Sequence, residues 1–275
     1  MTSVSLGSQV WFNGHIIPVE QALIPMSDRG FSLGDGLFET LLWTGTDIRF
    51  FDDHMARLAD SAAQLGFTLP HTTQEVDAGL LALAQDASGS KAVLRLTLTR
   101  GSGPRGLALP EIMKPNLLAS IAPFVRADEA VTLRTSSIMR HAGAPSAQFK
   151  TLSYIDNVMA LNDARACGAD DAVMLGTTGY VACATSANLI IRYQGRNLTP
   201  ALEDGALAGI IRGRFIRAGI VEAARISPAQ LATCDVAVLT NALIGVREIS
   251  CIDGRRLSHD ALWFDSLSQA LATAA

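Results

Sequence analysis

The stretch SAQFKTLSYIDNVMALNDARACGADDAVML, residues 146–175, runs from a loop through Lys150 into a predicted helix, and then through Gly168 into an apolar strand. Lysine is scarce in this chain. Of its 22 basic residues, three are lysines, at positions 91, 114 and 150, so the remaining 19 are arginines. Only lysine offers an amine that burial or neighbouring charges can adapt for Schiff-base chemistry. From spacing alone, however, a surface lysine at a helix entry is the simpler interpretation of Lys150.

Composition narrows the classes to which this chain can belong. With 275 residues, 49% apolar and 17% charged, it can form one large or two modest packed domains. A net charge of −4 gives no basic surface for nucleic acid. The N-terminal residues lack the basic and apolar regions of a secretory signal, and no apolar run reaches the length of a membrane span. These features favour a cytoplasmic protein without a nucleic-acid or membrane partner.

Four scattered cysteines, at positions 167, 183, 234 and 251, form no CxxC pair and no metal-binding pattern. We therefore expect reduced thiols and no metal site.

Local patterns predict an α+β fold of two domains, with mainly antiparallel sheets and flanking helices. Asn13-Gly14 between two apolar runs predicts a hairpin. Asp52 is the expected N-cap of a helix that ends at Gly66. A second helix is expected over residues 73–87, and Ser227-Pro228 is typical of another helix start.

The predicted domain boundary is a polar break at Ala127-Asp128-Glu129. It divides the chain into a smaller N-terminal domain, residues 1–124, and a larger C-terminal domain, residues 129–275.

Several motifs are weak evidence when they are taken singly. The loop TRGSGPRG, residues 99–106, lacks the ending of a nucleotide P-loop, and a surface hairpin or lid is the better interpretation. The glycines of GALAGIIRG, residues 205–213, precede a predicted helix whose free N–H groups could bind an anion. Arg57 lies one helical turn after His54 and, by itself, would be a solvated arginine.

In their order along the chain, the motifs resemble one family. They are DRGFSLGDGLFET (28–40), HMARL (54–58), TRGSGPRG (99–106), FKTLSYIDNVMA (149–160), ANLI (187–190), LAGIIR (207–212) and LTNAL (239–243). This succession resembles the class IV aminotransferases, the fold-type IV pyridoxal-phosphate enzymes, from about residue 11 to about residue 250. The resemblance implies two domains with the cofactor between them, a homodimer, pyridoxal 5'-phosphate as cofactor and a small amino compound as substrate.

The resemblance also assigns roles to residues. Lys150 matches the Schiff-base lysine, Arg57 an arginine that binds the cofactor phosphate, and Tyr154 a tyrosine that hydrogen-bonds the ring hydroxyl. Further cofactor contacts are implied for Asn188, Ile210, Ile211 and Thr240, and substrate contacts for Phe38, Arg100 and Asn241.

One position departs from the family pattern. The family glutamate that keeps the pyridine nitrogen protonated stands five residues before the asparagine of the NLF-type motif, and here that position is Cys183. A buried thiol is neutral and a weak hydrogen-bond partner, so the cofactor would be a poorer electron sink.

Three functions are open to a chain that resembles this family and departs from it at Cys183. Transamination depends on the electron sink, whereas release of pyruvate from 4-amino-4-deoxychorismate is also driven by aromatisation to 4-aminobenzoate. We therefore expect the lyase of folate synthesis, which the loop motifs GSGPRG and TNAL also resemble. The alternatives are a D-amino-acid or branched-chain transaminase and a family member that binds a ligand without catalysis. Retention of Lys150, Arg57 and Tyr154 argues against the last.

Overall fold

The computed structural model describes residues 7–87, 89–125 and 129–273. The chain divides into two compact units, Met1–Val125 with Lys150–Ser153, and Arg126–Phe149 with Tyr154–Ala275. The sequence-based boundary would assign Lys150–Ser153 to the C-terminal domain. The structure assigns this segment to the first unit because its backbone bonds to a strand there. The predicted break at residues 127 and 128 lies outside the described residues.

The first unit contains a five-stranded antiparallel sheet in the order β2-β1-β5-β4-β3. Its strands are β1 (Gln9–Phe12), β2 (His15–Pro18), β3 (Gly36–Trp43), β4 (Ala92–Thr99) and β5 (Asn116–Pro123). Its α-helices are α1 (Arg29–Leu33), α2 (Phe51–Gln64) and α3 (Thr73–Ala84). Short 3-10 turns cover Val19–Gln21 and Gln85–Ala87.

Turn and cap chemistry explain most of these boundaries. The predicted hairpin is confirmed, with Asn13 at φ 47° and Gly14 at φ 91°, a combination that suits Asn-Gly. Thr72 caps α3 in a capping box with Glu75. The predicted cap of α2 is wrong: Phe50, in the left-handed region, is the N-cap, and Asp52 lies in the first helical turn. There its negative charge still interacts favourably with the helix dipole.

The two faces of the first sheet differ in burial. One face, which includes Leu94, Leu96 and Leu98, is fully buried. Helix α2 packs on β3, and α3 packs on β1, β4 and β5. On the opposite face the strand residues are less buried, and Arg95 is exposed.

An additional segment extends the free edge of β3. The N–H of Phe38 donates to the carbonyl of Lys150 at 2.9 Å, and the N–H of Leu152 donates to Gly36 at 2.9 Å. Leu37 and Thr151 form an antiparallel bridge between these bonds. Lys150–Leu152 therefore acts as a short edge strand of the first sheet, which fixes the backbone of Lys150 against β3.

The second unit contains a nine-stranded sheet in the order β11-β10-β9-β12-β13-β6-β7-β8, with β14 paired to β13. Its strands are β6 (Val131–Thr135), β7 (Asp171–Leu175), β8 (Val181–Ala184), β9 (Asn188–Tyr193), β10 (Arg196–Pro200), β11 (Glu222–Ala224), β12 (Val236–Asn241), β13 (Gly245–Ile252) and β14 (Arg255–Arg256). Parallel pairing occurs between β6 and β7, β6 and β13, and β10 and β11. The other pairs are antiparallel, so the predicted α+β class with mainly antiparallel sheets is confirmed.

Helices flank this second sheet. They are α4 (Pro145–Gln148), α5 (Ile155–Ala166), α6 (Ile210–Arg217), α7 (Pro228–Thr233) and α8 (Ala261–Thr273). A 3-10 turn covers Leu202–Asp204. Helix α5 packs on β6 and β7, α6 on β12, and α8 on β13. The main core contains Leu189, Ile191, Leu231 and Leu239, among other aliphatic residues. Within the described ranges, no helix is long and apolar enough to cross a membrane.

Candidate active site

Lys150 lies on the less buried face of the first sheet, at the edge of β3. Its Nζ is 4.1 Å from the centre of the Phe38 ring, within the range of a cation–π contact. By extension of the Leu37–Thr151 bridge, Phe38 stands directly opposite Lys150. The guanidinium of Arg95 contacts the same ring at 3.9 Å. Phe38 is a predicted substrate residue, and the structure brings it against the lysine amine.

Arg57 is bound from one edge by Glu39, the next residue along β3. The Arg57 Nε donates to Glu39 Oε1 at 2.8 Å and Nη2 donates to Oε2 at 2.5 Å. The Nδ1 of His54 lies 2.7 Å from the same Oε2. Because Phe38 and Glu39 point to opposite sides of β3, the strand places Lys150 on one face and this cluster on the other.

The Glu39 carboxylate remains ionised although its side chain is only 1% exposed. Burial opposes ionisation, but the charge of Arg57 and the hydrogen bonds from His54 and Arg57 outweigh it, so the pKa of Glu39 falls to about 2. The carboxylate holds the guanidinium plane in one orientation. A guanidinium oriented in this way is suited to bind an anion such as phosphate.

Arg100, a predicted substrate residue, is bound by neighbours in the first unit. Its Nε donates to both oxygens of Asp35, Nη2 donates to the Leu65 carbonyl, and Nη1 contacts the sulfur of Met113. The residue is buried and its guanidinium also lies over the Phe67 ring. These contacts hold Arg100 within the first unit, and its contact with a substrate stays a prediction.

Asp35 joins Arg100 to Arg29. Arg29 Nε donates to Asp35 at 2.8 Å, and its Nη atoms donate to the carbonyls of Gly106, Leu107 and Ala108. Partial burial raises the pKa of Asp35, but Arg100 and Arg29 more than offset this and hold it below its usual value. The glycine-rich loop is therefore fastened by its carbonyls to an arginine, which is not the geometry of a phosphate cradle.

Asn188 organises the start of helix α6 in the second unit. Its Nδ2 donates to the carbonyl of Leu207 at 2.9 Å. Gly209, the N-cap of α6, approaches so closely that a Cβ there would lie 1.9 Å from Asn188 Oδ1. A glycine is thus required by the close approach, and Asn188 determines where Ile210 and Ile211 begin the helix.

The first turn of α6 presents donors without a side-chain cap. The N–H groups of Ile210 and Ile211 have no acceptor within the helix because they belong to its first turn. Arg212, the next residue, is buried and its Nε has no hydrogen-bond partner. Burial lowers the pKa of Arg212, and Glu203 offsets this only in part. Such a helix start is suited to an anion.

Cys183 lies on β8 opposite Met174, in a small cluster with Ala160, Ala164 and Ala172. Burial raises the pKa of the Cys183 thiol, and the charge of Arg140 offsets only part of this effect. The thiol is therefore neutral at pH 7.

Arg140 fastens several segments of the second unit to one another. It is buried and donates to the carbonyls of Gly205, Ser146 and Ala147 and to Oδ1 of Asn157.

Thr240, a predicted cofactor residue, also bonds within the fold. It is fully buried, and its hydroxyl donates to the carbonyl of Gly245 at 2.7 Å, which closes the turn between β12 and β13. Its contact with the cofactor stays a prediction. The neighbouring Asn241 is half-buried and bonds within the same turn through Oδ1. Tyr154 is half-buried at the N-terminus of α5.

Sequence reasoning missed Glu39, Arg95 and Arg140. Glu39 has a detectable signal, since it is the one charged residue in the apolar strand GLFETLLW, and strands rarely bury an unpaired carboxylate. Arg95 and Arg140 have no distinctive local pattern. Among the residues that the structure describes, no three His, Cys, Asp or Glu side chains form a group that could hold a metal ion.

Comparison with known proteins identifies the family. The model of the amino-transferase class IV family matches residues 36–252, well over half of the chain. The chain belongs to the class IV aminotransferase family. Members of this family are pyridoxal-phosphate enzymes that act on small amino and keto compounds.

Several class IV relatives align over nearly the whole chain. The D-alanine aminotransferase of Bacillus licheniformis is 26% identical, over 92% of this chain and 91% of its own length. The branched-chain-amino-acid aminotransferase of Pseudomonas aeruginosa is 26% identical, over 90% of this chain and 86% of its own length.

Solved structures of the family share the fold. A branched-chain aminotransferase from Thermoproteus uzoniensis, with norvaline, superposes with a TM-score of 0.88 at 25% identity, over 98% of this chain and 94% of that one. A chain from Legionella pneumophila named "Putative 4-amino-4-deoxychorismate lyase" gives a TM-score of 0.86 at 27% identity, over 94% of this chain and 97% of that one.

Proposed function

We propose that this chain is a pyridoxal-phosphate-dependent lyase that converts 4-amino-4-deoxychorismate to pyruvate and 4-aminobenzoate, a reaction of folate synthesis. Family membership supports the enzyme class and the cofactor. The observation that carries the choice of a lyase is Cys183, a neutral buried thiol at the position of the family glutamate.

The residues present fit the cofactor. The uncapped start of α6, held by the close contact between Gly209 and Asn188, would bind the phosphate through the N–H groups of Ile210 and Ile211. In the first unit, Arg57 presents a guanidinium that Glu39 orients and that is suited to an anion such as phosphate. When bound as a Schiff base to Lys150, pyridoxal phosphate supplies an electron sink for a carbanion beside the imine.

Lys150 would have two tasks. It would bind the cofactor covalently and, once a substrate amine has displaced it, its free amine would move a proton at the substrate carbon. Cys183 cannot supply the negative charge that keeps a ring nitrogen protonated, since burial keeps the thiol neutral. This lowers the carbanion stabilisation on which transamination depends. In the lyase reaction, aromatisation of the product ring compensates for that loss.

A transaminase acting on D- or branched-chain amino acids is the second candidate. It is supported by the aminotransferases that align with this chain at about a quarter identity over nearly their full length. Lys150 and Arg57 would have the same tasks in that reaction.

A direct assay distinguishes the two. Purified protein, loaded with pyridoxal phosphate, is incubated with 4-amino-4-deoxychorismate, and separately with D-alanine or L-leucine and 2-oxoglutarate. We expect pyruvate and 4-aminobenzoate from the first mixture, and at most slow formation of glutamate in the others. Transamination faster than pyruvate release would overturn the lyase assignment. A Lys150→Ala variant, expected to be inactive in all mixtures, controls for contaminating enzymes.

The attachment site can be tested separately. Borohydride reduction of the loaded protein, followed by peptide mapping, should place the pyridoxyl group on Lys150. The chain's other two lysines, Lys91 and Lys114, are internal controls. Labelling of either in place of Lys150 would contradict the proposed role.

A further inference from the structure

We propose that Phe38 is a positioning residue for Lys150, whose ring holds the free ammonium group at a fixed place on the face of the first sheet. The inference rests on the proposed role of Lys150 as the Schiff-base lysine. It adds a role for Phe38 that differs from lining a substrate pocket.

The backbone brings the two residues together. The bond from the Phe38 N–H to the Lys150 carbonyl and the bond from Leu152 to Gly36 hold Lys150–Leu152 in register with β3. In an antiparallel pair, directly opposite side chains point to the same face and lie close together. The contact between the amine and the ring is therefore a consequence of strand pairing and does not require a loop to adopt a special conformation.

The ring is itself immobilised. Phe38 is buried, with 6% of its surface exposed, although it lies on the less buried face of the sheet. It stands opposite Thr97 in β4, and the guanidinium of Arg95 contacts it at 3.9 Å. Its orientation is thus fixed by β4 on one side and by the lysine segment on the other.

Two opposing electrostatic effects act on a cation over the Phe38 ring. Residues of β3, β4 and β5 that share the face of Phe38 contribute no carboxylate, and Arg95 is their one charged side chain. The negative face of an aromatic ring attracts an ammonium group, while Arg95 repels it. The two cations lie within about 8 Å of each other, which is no more than a Debye length at physiological ionic strength. The ring therefore stabilises the Lys150 ammonium and Arg95 opposes it.

This arrangement has a task in the proposed reaction. Once released from the cofactor, Lys150 would be a free side chain, and with the proton that it takes up it would be an ammonium group. A flexible four-carbon side chain would then sample many rotamers, at a cost in entropy each time it returns. The Phe38 ring gives the freed ammonium one preferred position.

The experiment exploits the scarcity of lysine. With [ε-13C]lysine, the full-length protein freed of cofactor should give three side-chain signals, from Lys91, Lys114 and Lys150. Protons that lie over an aromatic ring are shifted upfield, so the Lys150 signal should be displaced from the other two. In Phe38→Leu the displacement should disappear. The signal should also titrate at a pH lower by roughly 0.4–1.5 units, the equivalent of one cation–π contact.

Two further variants keep the test decisive if Phe38→Leu does not fold. Trifluorophenylalanine at position 38 preserves the shape of the ring but weakens its negative face, so it should lower the titration midpoint of the Lys150 signal. Arg95→Gln removes the repelling charge and should raise that midpoint. A Lys150 signal that coincides with those of Lys91 and Lys114, or that does not respond to trifluorophenylalanine, would overturn the proposal. These readouts are made without cofactor, so failure of the proposed function would appear separately, in the borohydride mapping.

Discussion

Glu39 stays ionised inside the first unit because Arg57 and His54 both bind its carboxylate. Replacing any one of the three therefore removes a hydrogen-bond partner from a largely buried cluster. Removal of Arg57 or Glu39 leaves the charge of the other without its partner. Such a change lowers the free energy of unfolding even when the remaining structure is intact.

Stability should fall at acid pH in a window that Glu39 determines. The folded-state pKa is about 2 and that of an exposed glutamate is 4.5. Above pH 4.5 its contribution is fully present, on the order of 3 kcal/mol, and it is lost as the pH falls towards 2. Urea denaturation at several pH values should show this loss in the wild type. In Glu39→Gln the loss should be smaller over the same window. If the unfolding free energy fell equally steeply with pH in the wild type and in this variant, the low pKa of Glu39 would be contradicted.

Arg57→Ala should weaken both cofactor binding and folding. Loss of a charge-assisted hydrogen bond should raise the cofactor Kd about tenfold to a hundredfold. It also leaves Glu39 with one partner, at a cost of roughly 3–5 kcal/mol in unfolding free energy.

A double variant separates these two effects. In Arg57→Ala/Glu39→Gln no carboxylate is left buried without Arg57. The unfolding free energy should therefore recover partly, while the cofactor Kd remains high. A Kd equal to that of the wild type in the double variant would mean that Arg57 serves Glu39 alone.

The four thiols should differ in reactivity. Cys167 is exposed, whereas Cys183 and Cys234 are buried and burial raises the pKa of both. With a thiol-specific disulfide reagent at pH 8, Cys167 should react within seconds, and Cys183 and Cys234 only after unfolding. Peptide mapping identifies the labelled residues, and rapid labelling of Cys183 in the native protein would contradict its burial.

At the residue scale, the sequence predicts which residues are candidates for the site better than it predicts which partners their polar atoms have. Lysine scarcity and the family motifs pointed to Lys150, and the structure places its amine against another predicted residue, Phe38. The sequence could not show that Arg100 and Thr240 have their polar atoms occupied within the fold. Their partners, Asp35 and Gly245, are recognisable only after the chain is folded.

At the scale of elements, helix α6 depends on a glycine contact. Gly209 has an ordinary backbone conformation, so it is needed only for space next to Asn188. Gly213, within the same helix, would place a Cβ 3.3 Å from the flexible end of Arg217.

Gly209→Ala and Gly213→Ala form a matched pair. The first should displace Asn188, cost about 1–3 kcal/mol through overpacking and weaken phosphate-dependent cofactor binding. The second should leave binding unchanged and stabilise the helix by about 0.5–1 kcal/mol, since alanine is favoured in a helix interior. Thermal unfolding and cofactor titration measure both. If Gly213→Ala weakened binding as much as Gly209→Ala, a general disturbance of α6 would explain the loss.

Elements with strong local signals were predicted best. The Asn13-Gly14 hairpin, the start of α3 and the Ser227 cap of α7 depend on turn and cap chemistry within a few residues. The parallel pairings of β6 and of β10 with β11 depend on distant residues, and β11 has three residues. The N-cap of α2 was missed because Phe50 adopts a left-handed conformation that its residue type disfavours.

At the scale of the whole molecule, the two units do not follow the order of the chain. A composition shift can reveal a linker, but it cannot reveal that four residues return to an earlier sheet. That return is determined by the free edge of β3, whose hydrogen-bonding groups require partners.

We propose that the protein forms a homodimer, as the family resemblance implies, through an apolar surface of the first unit. Helix α1 and nearby loops of the first unit expose several large side chains, namely Leu23, Met26, Phe31, Leu107 and Ile112. We infer that these side chains form one apolar patch, which on a monomer typically marks an interaction site. Sedimentation should show a dimer, and Phe31→Asp should shift it towards the monomer. Leu262→Asp, at an exposed leucine of the second unit, is the control. An active wild-type monomer would contradict the dimer.

The edge strand formed by Lys150–Leu152 also has a consequence for biosynthesis. Residues up to Val125 leave the ribosome first, while the Gly36–Phe38 edge of β3 still lacks its partner. At about 5–20 residues per second, synthesis of the next 25 or so residues takes a few seconds, during which a nascent chain exposes an unpaired sheet edge. A polypeptide truncated after Val125 should therefore aggregate during translation, and extension to Ser153 should reduce that aggregation. The segment that carries Lys150 would then also complete the sheet of the domain synthesised before it.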